Sequence, residues 1–320
     1  MSWPVIVSDL ATDTLRGLSS APKYLLAKHL YDDKGSELFR QIMQMPEYYL
    51  TNCELEIFRN LKEKIVDALE SDRQGFDLIE FGSGDGSKTS ILLDHLHKRK
   101  VNFRYIPVDI SERAMEEMVR KLKRKMPALD IKPLTGDYFL IMQHHGRNTG
   151  RRKVIFFLGA NIGNFSPDEL SLFFKQLRGF TQKGDMVLIG FDLKKSPEII
   201  LAAYHDPHGI TTTFTMNHLI RLNRELKANF NPDQFEHHTE YNPLSGDVKS
   251  FLISVKDQDV NIALLEQRFR FYRWEPVFME LSRKYDLSEI YALAGYYDFK
   301  IIKNFTDRRL YFTDTLWIRE

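Results

Sequence analysis

Between residues 76 and 192, short apolar runs alternate with amphipathic stretches. FDLIEF is followed by ILLDHLHKR, FRYIPVDI by MEEMVRKLKRK and VIFFLGA by LSLFFKQLRGF, and the series closes on MVLIGFDL. Compact apolar runs separated by helical periodicity predict β-α alternation and a parallel sheet. The helix after VIFFLGANIGNF has a marked start, with Ser166 as N-cap, Pro167 at the first helical position and Glu169 where a capping box places its acid. The flanks differ: residues 1–60 read as helical, and 196–284 mix helical stretches with alternating segments such as VKSFLISV and QRFRFYRW. These flanks predict a second, smaller α+β domain. After the helical SEIYALAGYYD, the segments KIIKNF and LYFTDTLWI flank a short turn, TDRR, which predicts an antiparallel pair closing the sheet with a reversed edge strand.

The candidate chemistry lies at the strand ends. LIEFGSGDGSKTS places Gly82, Gly84 and Gly86 at alternate positions after a strand and before a helix, where backbone N–H groups face a ligand that meets no Cβ. A dinucleotide fingerprint requires a third glycine at position 87, which is Ser87 here, so an NAD-dependent oxidoreductase is excluded. An acid followed by GxGxG resembles the cofactor motif of class I S-adenosylmethionine (SAM) methyltransferases; the plainer alternative is a tight turn with no ligand. Asp109 ends the next strand, where a carboxylate accepts ribose hydroxyls, and Asp137 and Tyr138 follow the weaker strand IKPL. Each acid alone reads as a cap or turn residue, but open α/β sheets bind ligands at the carboxyl ends of their strands, and here three successive ends carry one.

Composition narrows the partners. Lys plus Arg number 45 against 44 Asp plus Glu, so no global field draws nucleic acid or an anionic membrane, and a small-molecule partner, or one met at a local patch, is expected; the chain itself is expected to be a monomer. The single cysteine, Cys53, forms no internal disulfide, and the N-terminal residues show no signal-like segment, so a cytoplasmic protein is expected. The 320 residues are 43% apolar, enough for a substantial core. RKLKRK at 120–125 reads as the solvated side of a helix whose apolar face is Met115, Met118, Val119 and Leu122. The pairs His144–His145 and His237–His238 lack metal-ligand spacing, so no metal is expected. Phe269, Phe271 and Trp274 read as core of a strand.

Over nearly its whole length the chain resembles the histidine-specific Nα-methyltransferases. The resemblance rests on APKYLLAKHLYDDKGSELFRQIMQMPEYYLT, LIEFGSGDGSKT, FFLGANIGNFSPDE, GFDLKKSPEIILAAYHDPHGITTTFTMNHLIRLNREL and MELSRKY. It implies a class I SAM-methyltransferase (Rossmann-like) sheet over 57–195 and 285–320, and a substrate-binding domain from 1–56 and 196–284. The implied reaction is trimethylation of L-histidine to hercynine, the first step of ergothioneine biosynthesis. By matched motif, Gly82, Gly84, Lys88, Asp109, Asp137, Tyr138 and Gly159 hold SAM. Asn164 and Tyr204 bind the α-carboxylate, Tyr48 lines the substrate cavity, Tyr31 lies near the amino group, and Glu280 and Ser282 bond the imidazole. One position departs from the pattern: Ser250 stands where histidine-specific members carry a methionine against the imidazole, which leaves a roomier, more polar pocket. Methylation of tryptophan or tyrosine, and a catalytically silent methyltransferase-like partner protein, are the alternatives.

Overall fold

The computed structural model describes residues 9–70, 75–144 and 150–320. In chain order the elements are α1 (Asp9–Leu18), α2 (Asp33–Ile42), α3 (Tyr49–Leu69), β1 (Phe76–Phe81), α4 (Thr89–Lys98), β2 (Phe103–Asp109), α5 (Glu112–Lys125), β3 (Leu134–Thr135), α6 (Tyr138–His144), β4 (Arg152–Phe157), α7 (Pro167–Phe180) and β5 (Met186–Asp192). There follow α8 (Pro197–Tyr204), α9 (Ile210–Leu226), β6 (Phe235–Asn242), β7 (Asp247–Ser254), β8 (Gln258–Ile262), β9 (Gln267–Phe271), β10 (Pro276–Arg283), α10 (Leu287–Tyr296), β11 (Phe299–Thr306) and β12 (Phe312–Arg319). The chain divides into two compact units, one taking Leu50–Lys194 with Arg283–Glu320, the other the chain up to Tyr49 with Lys195–Ser282.

The first unit is built on a seven-stranded sheet of order β11-β12-β5-β4-β1-β2-β3. β1 pairs in parallel with β2 and β4, β4 with β5, and β2 with β3. β1 and β5 are buried along their whole length, as expected of uninterrupted apolar runs covered on both faces. The reversed strand is β12, which runs antiparallel to β5, but it is not itself the edge: β11 pairs antiparallel outside it. Helix α7 starts as its sequence indicates, with Ser166 Oγ accepting from the Glu169 amide and the Glu169 carboxylate accepting from the Ser166 amide. In α5, Met115, Met118 and Leu122 are buried, and Arg120 through Lys125 otherwise face solvent.

α3 belongs to this unit, so the 56/57 boundary read from the sequence lies inside one continuous helix. Its buried stripe runs Leu50, Cys53, Glu54, Ile57, Phe58, Ile65 and Leu69, at helical spacing.

The second unit carries a three-stranded sheet of order β10-β7-β6 and the hairpin β8-β9. Leu18, Leu38, Phe214, Leu222, Leu252, Val277 and Met279 are among the members of its core. Phe269 and Phe271 lie in that core as expected, but Trp274 does not: it is 57% exposed. The strand ends at Phe271, and Trp274 sits beyond it at φ +68° with the Arg273 guanidinium over its ring, so the alternation that would have buried it has stopped. His237 points to the half-buried side of β6 and His238 to the exposed side, as adjacent strand residues must. His145 and the side chain of His144 lie outside the described residues. Among the described residues no helix is long and apolar enough to cross a membrane.

Candidate active site

Gly82, Gly84 and Gly86 have φ values of +69°, +53° and +66°, a region that L side chains enter only with strain. A Cβ on Gly84 would meet nothing within 4 Å, and one on Gly82 only the Asn161 amide nitrogen at 3.6 Å. That side of the turn is bare backbone facing open space, a cradle that any larger residue would fill. Gly86 has a different reason: its Cβ would strike the Met118 sulfur at 2.7 Å, so glycine there lets α5 close on the turn.

Asp109 stitches three strand-end loops together. Its Oδ2 accepts from the Gly84 amide at 3.0 Å, its Oδ1 from Ser111 at 3.0 Å, and its backbone carbonyl from Gly136 at 2.9 Å. Each carboxylate oxygen keeps a lone pair for a further donor. Asp137 accepts from the Phe139 amide at 2.6 Å. The Tyr138 ring is tilted against Phe81 and Phe139 and edge-on to Phe157, so the core orients it. Burial, then the charges of Asp137 and Glu169, push its hydroxyl up. Glu80 lies beneath the turn, where its Oε1 accepts from Thr89 Oγ1 at 2.5 Å and its Oε2 from the Tyr105 hydroxyl. Burial raises its carboxyl to about 7 against the opposing effect of those bonds and of Lys88.

Lys88 turns inward. Its ammonium is paired with the fully buried Glu54, whose other oxygen accepts from the Gly159 amide at 2.7 Å. Gly159 has φ +76°, and a Cβ there would lie 3.3 Å from Lys88 Nζ. Asn164 ends the short 3-10 turn Asn161–Asn164 and is exposed. The preceding Gly163 packs so closely on Arg283 that a Cβ would fall 2.6 Å from its carbonyl oxygen.

Six of the remaining candidates belong to the second unit. The Tyr31 ring is edge-on to Phe39 and Phe214, and Phe39 is edge-on to Tyr48. Tyr31 is 39% accessible; loss of solvent around its hydroxyl, then the charges of Glu280, Tyr48 and Tyr204, raise its pKa well above the ordinary phenol value. Tyr204, at the end of α8, is 8% exposed, and its hydroxyl donates to Ser282 Oγ at 2.7 Å. Two residues assigned by resemblance to opposite ends of an amino acid are thus one hydrogen bond apart. The in–out alternation of β10 breaks after Met279, where Glu280 and Leu281 are both half-buried, so Ser282 buries in step with Met279. Ser250 is buried on the central strand opposite Thr239, with their hydroxyl oxygens 3.5 Å apart, and Thr239 Oγ1 lies 3.3 Å from His237 Nε2. Burial, then the neighbouring His205 and His238, lower His237 to about 4, so its ring is neutral near pH 7.

Sequence reasoning gave no part to Glu54, to Thr239 or to Asp314, which is fully buried on β12, and weighed His237 only as a metal ligand. Glu54 did leave a signal, an acid within an otherwise apolar helical stripe. Asp314 left none, because β12 is buried on both faces and shows no alternation.

A parallel sheet with a reversed strand beside β5, a bare glycine turn after β1 and a carboxylate ending β2 define a class I methyltransferase. The chain belongs to the family of histidine-specific, SAM-dependent methyltransferases, whose model matches residues 10–319. SAM is therefore its cofactor, and the open glycine turn and the Asp109 lone pairs fit a nucleoside bearing no pyrophosphate. The chain is 34% identical over 276 residues to a histidine N-alpha-methyltransferase of Mycobacterium tuberculosis (86% of this chain, 84% of the relative). It is 34% identical over 294 residues to the protein of the same name from Mycolicibacterium smegmatis (90% and 89%). A third relative is ergothioneine biosynthesis protein 1 of Schizosaccharomyces pombe, 27% identical over 282 residues (86% of this chain, 36% of the relative).

Proposed function

We propose that the protein trimethylates the α-amino group of free L-histidine to hercynine; what supports the histidine Nα-methylation within this reading is its likeness to relatives named histidine N-alpha-methyltransferase. The observation that carries this reading is the cluster in one unit of a half-buried carboxylate, Glu280, and the Tyr48 and Tyr204 hydroxyls, all of which act electrostatically on the Tyr31 hydroxyl, with Tyr204 bonded to Ser282. Glu280 and Ser282 supply acceptors for a ring N–H, and the Tyr204 hydroxyl, on exchanging its bond to Ser282, would supply a donor for the α-carboxylate. In the sheet unit Gly82, Gly84, Asp109, Asp137, Tyr138, Lys88 and Gly159 would hold SAM, which supplies an electrophilic methyl group.

The residues around the amine mainly orient it, because positioning provides much of the rate of a displacement. Desolvation favours the neutral amine. Tyr31, with its pKa raised by burial and by Glu280, stays a neutral hydroxyl near pH 7. It acts as an acceptor that aims the lone pair, and the proton leaves along hydroxyls or water. Tyr31→Phe and Tyr48→Phe should each lower turnover about tenfold or more and leave S-adenosylhomocysteine affinity within about twofold. Steady-state rates beside calorimetry check this, and unchanged turnover in both variants would remove the tyrosines from the mechanism.

Incubation with SAM and each of histidine, tryptophan and tyrosine, read by mass spectrometry, tests the substrate. Three methyl groups gained by histidine alone are expected. Methylation of tryptophan or tyrosine with histidine untouched would overturn the reading and assign the polar Ser250 position to a different side chain.

A further inference from the structure

The buried carboxyls beneath the cofactor turn have no part in the assignments above. Glu54 projects from α3 and is fully buried; one oxygen takes the Gly159 amide and the other the Lys88 ammonium. Asp314, on β12, is also fully buried. The position where Gly190 would carry a Cβ lies 2.8 Å from Glu54 Oε1 and 3.2 Å from Asp314 Oδ1, so the two carboxyls stand side by side and only glycine fits between them and the strand. Two adjacent carboxylates facing one ammonium cannot both stay ionised in a dry interior.

We infer that Glu54 is a positioning residue for SAM, holding the Gly159 turn and Lys88 in register, and that Asp314 stands behind it as a neutral acid sharing the pair's single proton. Burial, then the Glu54 charge, raise the Asp314 carboxyl well above the ordinary range, with Lys88 opposing, and neither Asp314 oxygen has a hydrogen-bond partner among the described residues. Burial works against the Lys88 charge, but Glu54, then Asp314 and Glu80, hold its pKa above the usual value. Among Glu54, Asp314 and Lys88 the charges thus balance as one carboxylate, one ammonium and one neutral acid. The Gly159 amide has a charged acceptor, which makes a shorter and stronger bond than a neutral one. At φ +76° Gly159 is left-handed, and the link to Glu54 pins a turn that glycine alone would leave loose.

The inference rests on the reading of the β1 turn as the cofactor seat, which wild-type binding of S-adenosylhomocysteine tests by itself. If wild type binds nothing, that reading fails; if wild type binds, the variants decide the inference. Glu54→Gln should weaken S-adenosylhomocysteine tenfold or more by calorimetry and move the Gly159 amide resonance upfield in the ligand-free protein, a shift that a purely structural role does not require. Glu54→Asp keeps a charge for Lys88 but is too short to serve both partners, so it should fold and still lose tenfold. Asp314→Asn should bind within threefold of wild type, because an amide N–H replaces the acid proton. Wild-type affinity in folded Glu54→Gln or Glu54→Asp would overturn the positioning role, and a tenfold loss in Asp314→Asn would overturn the shared proton.

Discussion

Asp109→Ala is expected to weaken S-adenosylhomocysteine binding about a hundredfold or more. The carboxylate organises the Gly84 and Ser111 amides, each at 3.0 Å, and on the proposed seat its remaining lone pairs receive ribose hydroxyls. Hydrogen bonds to a charged group are worth about 1.5–3 kcal/mol each, and every 1.4 kcal/mol is about tenfold in affinity, so losing two ligand contacts while loosening the Gly84 turn exceeds about a hundredfold. Asp109→Asn keeps one acceptor and should fall between. Calorimetry gives the affinity, and thermal unfolding of the ligand-free protein shows whether the turn alone has been lost. Alanine binding within threefold of wild type would mean that Asp109 is only a turn residue.

Acid should destabilise the protein through His218. This residue of α9 is fully buried, neither ring nitrogen has a hydrogen-bond partner among the described residues, and the His29 ring stands 6.2 Å away. Burial, then the charges of His29 and Arg221, lower its pKa from 6.5 to about 3, against the pull of Asp32. Between those values the unfolded chain binds a proton that the folded chain refuses. Stability is therefore full above pH 6.5 and falls as pH drops toward 3, by up to about 1.4 kcal/mol per unit and about 5 kcal/mol in all. His29 and His237 are lowered as well and add to the slope, so a comparison isolates His218. Urea unfolding of wild type and His218→Leu from pH 7 to 4.5 should show the variant's slope shallower by one proton. Equal slopes would mean that the imidazole finds a partner on folding.

Whatever is carried by local pattern was legible in the chain. The β-α order follows from the alternation of apolar runs and helical periodicity, the start of α7 from Ser166 and Glu169 three residues apart, and the turn after β1 from glycines at positions that adopt positive φ. Asp109 and Asp137 were readable because a strand's end is a local event. The buried stripe of α3 left a local signal too, with Glu54 an acid inside it, but the boundary read from the sequence falls within that helix and Glu54 is passed over.

What tertiary structure decided is which distant groups meet. Nothing in KIIKNF or LYFTDTLWI told which would lie beside β5, since both can pair; hydrogen-bond register placed β12 inside and left β11 as the edge. Glu54 reaches an amide 105 residues away and Tyr204 a hydroxyl 78 residues away, and the charges that raise the Tyr31 pKa belong to Glu280, Tyr48 and Tyr204 on other elements. Periodicity reports which face of an element is buried, and glycine reports where the backbone turns. The partner of a buried polar group depends on packing between elements far apart in sequence, and only the folded chain supplies it.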